Sequence, residues 1–148
     1  MINQSIEYLN SEALIIGISD IELETQNADY EGFCFQADGV SYRSRLAKKP
    51  PKKNGYFVVF WEKNESNTNQ AYAYETSPTF IIIIVKDKHQ CGYFKFPKEV
   101  LLKQGILRSQ EKAGKMGIRI YPTWEKELNS SAQKTQKWQA PYFKQTSI

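Results

Sequence analysis

The chain has a single histidine, His89, and only two cysteines, Cys34 and Cys91. That shortage closes off several kinds of chemistry. A Ser-His-Asp arrangement would have to use His89, which stands between Lys88 and Gln90 in a polar turn, where a histidine is more often idle than catalytic. Zinc sites of ordinary His and Cys composition need more ligands than one imidazole and two distant thiols. Two cysteines without a CxxC spacing make neither a disulfide framework nor a metal knuckle, and Cys34 reads as a small core residue in an apolar strand. Neither a P-loop nor GxGxxG is present, and Gly114-Lys-Met-Gly117 is no substitute. The longest apolar run, FIIIIV at 80–85, is far short of the roughly 20 residues of a membrane helix. The N-terminus, MINQSIEYLN, lacks the basic and apolar regions of a signal peptide, so a cytoplasmic protein with no membrane association is expected.

Two further absences concern charge. Residues 1–38 contain eight acids and no Lys or Arg, while the remaining 110 residues hold all twenty basic residues against eight acids, a net of +12. The overall +4 understates how basic the body of the chain is. No acid occurs from Gly39 through Trp61, yet six basic residues fall between Arg43 and Lys53. A run of this kind either is a solvated loop or faces a polyanion, of which nucleic acid is the most plausible.

What is present points to one domain spanning 1–148, with an acidic helical segment at 1–29, a sheet-containing body at 30–143 and a short C-terminal tail. Its length suffices for a proper core. Ile2, Ile6 and Leu9 recur at helical spacing, with Asn3 or Ser5 as caps, and Leu14 begins a second apolar patch. From Glu31 to Ala47 the period is two. Phe33, Phe35 and Ala37 share a face; after the Asp38-Gly39 hairpin signal, Val40, Tyr42, Ser44 and Leu46 share another. Arg43 and Arg45 therefore point together from the opposite side. Pro50-Pro51 blocks further strand, and YFVVFW after Gly55 is apolar on both sides and reads as a central strand. The β-branched run at 79–85 reads as a second one. His89-Gln90-Cys91-Gly92 leads into a strand at 93–96; Pro97 opens a helix that Gly105 stops. A short strand at 118–121 carries Arg119 opposite its apolar neighbours. Ser130 or Ser131 caps a last helix carrying Lys134, Lys137 and Trp138, whose end Pro141 disrupts. The expected class is α+β, with a single central mixed sheet flanked by helices.

Three blocks carry a family likeness. They are Tyr30-Glu31 before a phenylalanine-rich strand; Arg45-Leu-Ala-Lys48 leading through Lys53-Asn-Gly55 to FVVFW; and GYFKFPKEVLLKQGIL followed by GKMGIRIYPTW and KTQKWQAPYF. Together they resemble the MepB-like family of small bacterial proteins, over 30–143. The resemblance brings no catalytic residues to carry over. It implies a core reminiscent of restriction-endonuclease-like α/β folds that bind DNA, and so favours nucleic acid by analogy.

The enzyme class left with some support is a magnesium-dependent nuclease, which needs clustered carboxylates and a lysine near the phosphate. Glu7, Glu31 and Lys48 offer such a layout. An acid is wanted two residues before the lysine, and Leu46 stands there, so the metal site of such a scaffold reads as lost. The bland alternative is that Glu7 and Glu31 neutralise the two arginines. The binding reading uses Arg43, Arg45, Lys48, Lys52 and Lys53, joined by Lys112, Lys115, Arg119, Lys134 and Lys137, to neutralise phosphates. Trp124, Trp138, Tyr121 and Tyr142 are candidates for stacking, although Trp61 and Trp138 at regular element positions are more often core. A third class is a small-molecule or protein-binding module, with an aromatic interior and arginines gripping an anion. No cofactor is called for, apart from magnesium if the nuclease reading holds.

Overall fold

The computed structural model describes residues 3–12 and 15–146. Ile2 and Leu14, read above as parts of apolar patches, lie outside them. The chain begins with α1 (Asn3–Ser11), β1 (Ser19–Leu23) and a 3-10 turn (Thr25–Tyr30), followed by β2 (Phe33–Ala37) and β3 (Val40–Leu46). Next come β4 (Tyr56–Val59), β5 (Trp61–Lys63), β6 (Asn69–Ala71), β7 (Phe80–Lys86), β8 (Cys91–Pro97) and α2 (Lys98–Lys103). The chain closes with β9 (Gly117–Ile120), α3 (Ser130–Gln139), a 3-10 turn (Ala140–Tyr142) and β10 (Phe143–Thr146).

The fold is α+β around a six-stranded mixed sheet ordered β1-β2-β3-β7-β8-β10, in which only β3 and β7 run parallel. Alternation in the sequence sets its two faces. Phe33, Phe35, Tyr42, Ile82 and Ile84 turn toward Tyr8 and Leu9 of α1. Ile81, Ile83, Val85, Phe94 and Phe96 turn to the other side, under Tyr56, Val58, Phe60, Leu101, Ile118 and Ile120. Both faces of β7 are therefore covered, which is why FIIIIV is apolar throughout. Each such side chain contributes roughly 1.5–3 kcal/mol when fully buried. Among the described residues no helix is long and apolar enough to cross a membrane.

The Asp38-Gly39 hairpin is present, both residues having positive φ (51° and 75°), as a two-residue turn with right-handed strand twist requires. Pro97 precedes α2, and Gly105 (φ 76°) follows its end.

Four expectations change. The YFVVFW run does not form a central strand: β4 pairs with β9 and β5 with β6, as two short ribbons. Tyr56, Val58 and Phe60 pack onto the main sheet, whereas Phe57 lies under the Arg119 guanidinium (5.2 Å), so its two apolar faces have different partners. Residues 19–23, expected within the helical segment, instead form the edge strand β1; its register slips between Ser19 and Glu22, where Asp20 takes φ 52°. The C-terminal tail includes β10, which pairs with β8 because Gly92 leaves room: a Cβ there would meet the Lys144 carbonyl at 2.6 Å. α3 is capped by Asn129, whose Oδ1 accepts from Ala132 N at 2.8 Å, and not by Ser130 or Ser131.

Candidate functional site

β3 carries Arg43 and Arg45 on the sheet face away from α1, as their parity dictates, but β1 and the turn after it bring an acid over them. Glu24 accepts from Arg45 Nη2 through Oε1 at 2.6 Å and from Arg43 Nη1 through Oε2 at 2.9 Å. Tyr72 accepts from Arg45 Nη2 (2.7 Å) and donates to Glu24 Oε1 (2.5 Å). Arg45 also donates to the carbonyls of Val59 (3.2 Å) and Ser44 (3.1 Å), and the Arg43 guanidinium lies 3.8 Å from the centre of the Tyr72 ring. Gly32 is required beside this group, since a Cβ there would stand 2.8 Å from Arg45 Nη1.

Electrostatics follow from this crowding. Burial raises the Glu24 carboxyl, but Arg45, by charge and hydrogen bond, and then Arg43 and Tyr72 outweigh it and hold the group at about 2. Burial pushes the Tyr72 phenol up to about 12 despite both arginines. Cys34 faces the same cluster, its Sγ 3.6 Å from Glu24 Oε2; burial, against Arg43 and with Glu24, raises its thiol to about 11. A thiol so placed is a poor nucleophile.

Arg45 is wholly buried and Arg43 has a side chain only 12% exposed, so the two do not present the outward face expected of them. The acid that neutralises them is Glu24, not Glu7 or Glu31. Nothing in the sequence singled Glu24 out among eight N-terminal acids; its pairing is a product of sheet order.

The remaining candidates are dispersed. Lys48 pairs through its backbone with Phe57, and its ammonium sits 4.8 Å from the Tyr30 ring centre. Lys49 stacks over Tyr56 (4.9 Å) and approaches Glu125 at 3.7 Å. Lys52, Lys53, Lys115, Lys134 and Lys137 are exposed. Lys112 donates to the carbonyls of Leu102 and Lys103 and so satisfies the end of α2. Trp124 packs edge-on against Tyr56 and Phe143, Trp138 lies against Phe96, and Tyr142 is also against Phe96.

Arg119 brings some of these together. It lies in the walls of two clefts that share Arg119 and Thr135. One, about 580 Å³, also has Lys53, Asn54, Tyr121 and Glu127 in its walls; the other, about 280 Å³, has Lys115, Gln104 and Trp138. Arg119 Nη1 is buried without a hydrogen-bond partner, and among the described residues the guanidinium makes no ion pair. Ser131, Thr135 and Trp138 line these clefts from α3; at 3.6 residues per turn Lys134 falls on the shoulder of that stripe and Lys137 further round.

The nuclease candidates have other employment. Glu31 Oε1 accepts from Ser5 N (3.1 Å) and Ser5 Oγ (2.6 Å), and Oε2 from Gln4 (3.1 Å), so Glu31 caps the start of α1 from outside. Glu7 is exposed on the same helix. Among the described residues, no three His, Cys, Asp or Glu side chains gather into a group that could hold a metal ion. His89 is exposed in its turn, its backbone N–H donating to Asp87.

The blocks that carry the likeness noted above occupy the centre of this fold, and a MepB-like family model matches residues 24–145. The chain belongs to the MepB-like family. A solved structure, the crystal structure of MepB, is 42% identical and superposes with a TM-score of 0.88, covering 100% of this chain and 99% of that one. No curated protein matches the chain. The match begins at Glu24, so the family segment contains all the members of the buried ion cluster: Glu24, Arg43, Arg45 and Tyr72.

Proposed function

We propose that this member of the MepB-like family binds nucleic acid, in the cytoplasm, along the two clefts on either side of Arg119. The observation that carries the reading is the Arg119 guanidinium, which has no acid partner and keeps one buried nitrogen unsatisfied between Lys53 and Lys115. A guanidinium with no anion against it suits a phosphate oxygen, and flanking lysines add counterion release. Tyr121 in one cleft and Trp138 in the other offer ring surface to unpaired bases, which favours a single strand over a duplex. Lys52, next to the cleft residue Lys53 in the chain, and Lys134, on the shoulder of the α3 stripe, are further exposed cations. Arg43 and Arg45 have no part in this reading, because Glu24 already satisfies them.

The test is fluorescence anisotropy of a labelled single-stranded oligonucleotide across a salt series. Affinity should fall steeply with salt, and Arg119→Ala, Lys53→Ala and Lys115→Ala should each reduce the slope by about one. Absent or salt-independent binding defeats the proposal. Shortening of the oligonucleotide in the presence of Mg²⁺ would replace it with the nuclease reading.

A further inference from the structure

α1 is nine residues long, and Ile15 and Ile18 beyond it pack onto the same face of the sheet. Tyr8 and Leu9 shield one end, where Tyr8 meets Tyr93 edge-on at 6.3 Å. At the other end the face carries a ladder of rings across three strands: Phe35 and Tyr42 stack at 4.8 Å, and Tyr42 and Phe80 at 5.7 Å. Lys95 comes from β8, opposite Ile82, and lays its ammonium over these rings, 4.3 Å from the Phe80 centroid and 5.6 Å from that of Tyr42. Over this end lies a cleft of about 570 Å³ whose walls include Ile16, Asp38, Tyr42, Tyr93 and Lys95.

Three features of this cleft are unspent within the fold. Ile16 is 81% exposed at its rim, an unusual position for a large aliphatic side chain. Among the described residues Lys95 makes no ion pair, although Asp38 shares the cleft, and neither the Tyr42 nor the Tyr93 hydroxyl has a protein hydrogen-bond partner. Burial, with Asp38 adding to it, raises the Tyr42 phenol; burial, with Tyr42 adding to it, raises Tyr93. Both are therefore hydrogen-bond donors at neutral pH. An apolar wall, a floor of Tyr42 and Tyr93, a cation over the rings, two phenol donors and one exposed acid, Asp38, at the hairpin turn make a binding site of ligand size.

We propose that this cleft binds a small planar aromatic carboxylate, its ring between Ile16 and the Tyr42 side of the sheet and its carboxylate on Lys95 and the tyrosine hydroxyls. The carboxylate is favoured over an amine because the charge lying over the rings is the lysine, whose ammonium is held in place by Phe80 and Tyr42, whereas the cleft's acid, Asp38, stands exposed in the β2–β3 turn. The site is on the opposite face of the sheet from the core that supports Arg119, and it stands independently of nucleic-acid binding.

Isothermal titration of the whole chain with 2-naphthoate, and with its uncharged analogue 2-naphthamide, tests the assignment. Saturable 1:1 binding of naphthoate is expected, about tenfold tighter than the amide. Lys95→Gln should abolish that preference. Ile16→Asp, at an exposed position that folding does not need, should weaken both ligands, and Arg119→Ala should leave both unchanged. No saturable binding, equal affinity for acid and amide, or unaltered affinities in Lys95→Gln and Ile16→Asp overturns the proposal.

Discussion

The Arg45 guanidinium meets the Glu24 carboxylate at 2.6 Å across 21 residues of sequence, with Arg45 entirely removed from water. An arginine so placed is expensive to bury, and only a close anion with further hydrogen bonds makes it tolerable. Here one carboxylate serves two guanidiniums and a phenol, so the cluster ties β1, β3 and the segment after β6 to a single group.

Removing that anion should be severe. Glu24→Ala leaves two guanidiniums without a counter-charge and is expected to cost roughly 3–5 kcal/mol in urea unfolding. A Glu24→Leu, Arg45→Met double variant should lose less than Glu24→Ala alone, because it leaves one guanidinium, that of Arg43, without a counter-charge instead of two. Greater loss in the double variant would show that the cluster is not the source of the effect.

The same carboxylate sets an acid limit. Its folded-state value of about 2 lies below an ordinary glutamate near 4.5, so its stabilisation is complete above about pH 5 and is lost as pH falls toward 2. The Glu24 contribution to that loss is roughly 3 kcal/mol. Urea midpoints measured between pH 6 and pH 2 should fall less steeply in Glu24→Gln, which starts lower. Parallel curves would count against the pairing.

Glu31 is expected to act on helix α1 and not on a metal. Glu31→Ala removes the acceptor for Ser5 N and Oγ and should cost about 1 kcal/mol, with faster amide exchange confined to α1. Mg²⁺ should move the melting temperature of parent and variant alike. A Mg²⁺-dependent shift present only in the parent would return Glu31 to the list of ligands.

Arg43 offers a control for the binding interface. Arg43→Gln should lower stability yet leave oligonucleotide anisotropy and its salt slope as in the parent, whereas Arg119→Ala should do the reverse. Loss of binding in Arg43→Gln at temperatures where it stays folded would move the interface to β3.

Gly55 (φ 83°) allows the chain to enter β4. A Cβ there would stand 2.6 Å from the Tyr121 ring and 2.9 Å from the Ile120 carbonyl, in a backbone region that L residues seldom occupy. Gly55→Ala is expected to destabilise by roughly 1–3 kcal/mol in thermal unfolding. An unchanged melting temperature would contradict this account of the β4–β9 ribbon.

Local periodicity made much of the fold legible. The Phe33-Phe35-Ala37 alternation, the Asp38-Gly39 turn, the buried run of β7 and the Pro97–Gly105 bounds of α2 all follow from side-chain spacing and backbone preference, which act over a few residues. The edge strand β1 was not legible, because all five of its residues are exposed and its register is broken. YFVVFW misled for a different reason: burial on two sides is common to a central strand and to a ribbon laid over one.

The sequence by itself determined which way Arg43 and Arg45 point, since strand parity puts both on the face away from Tyr42. What they meet there was decided only by the tertiary structure. β1 folds back beside β2 and delivers Glu24, from far upstream, onto the same face. A charge pattern along the chain reports how many cations a segment carries, but whether they reach solvent depends on Coulomb attraction and desolvation among groups that only the sheet order brings within 3 Å. The basic stretch thus divides in two: its arginines hold the fold together, and its exposed Lys53 is left to join Arg119 at the clefts.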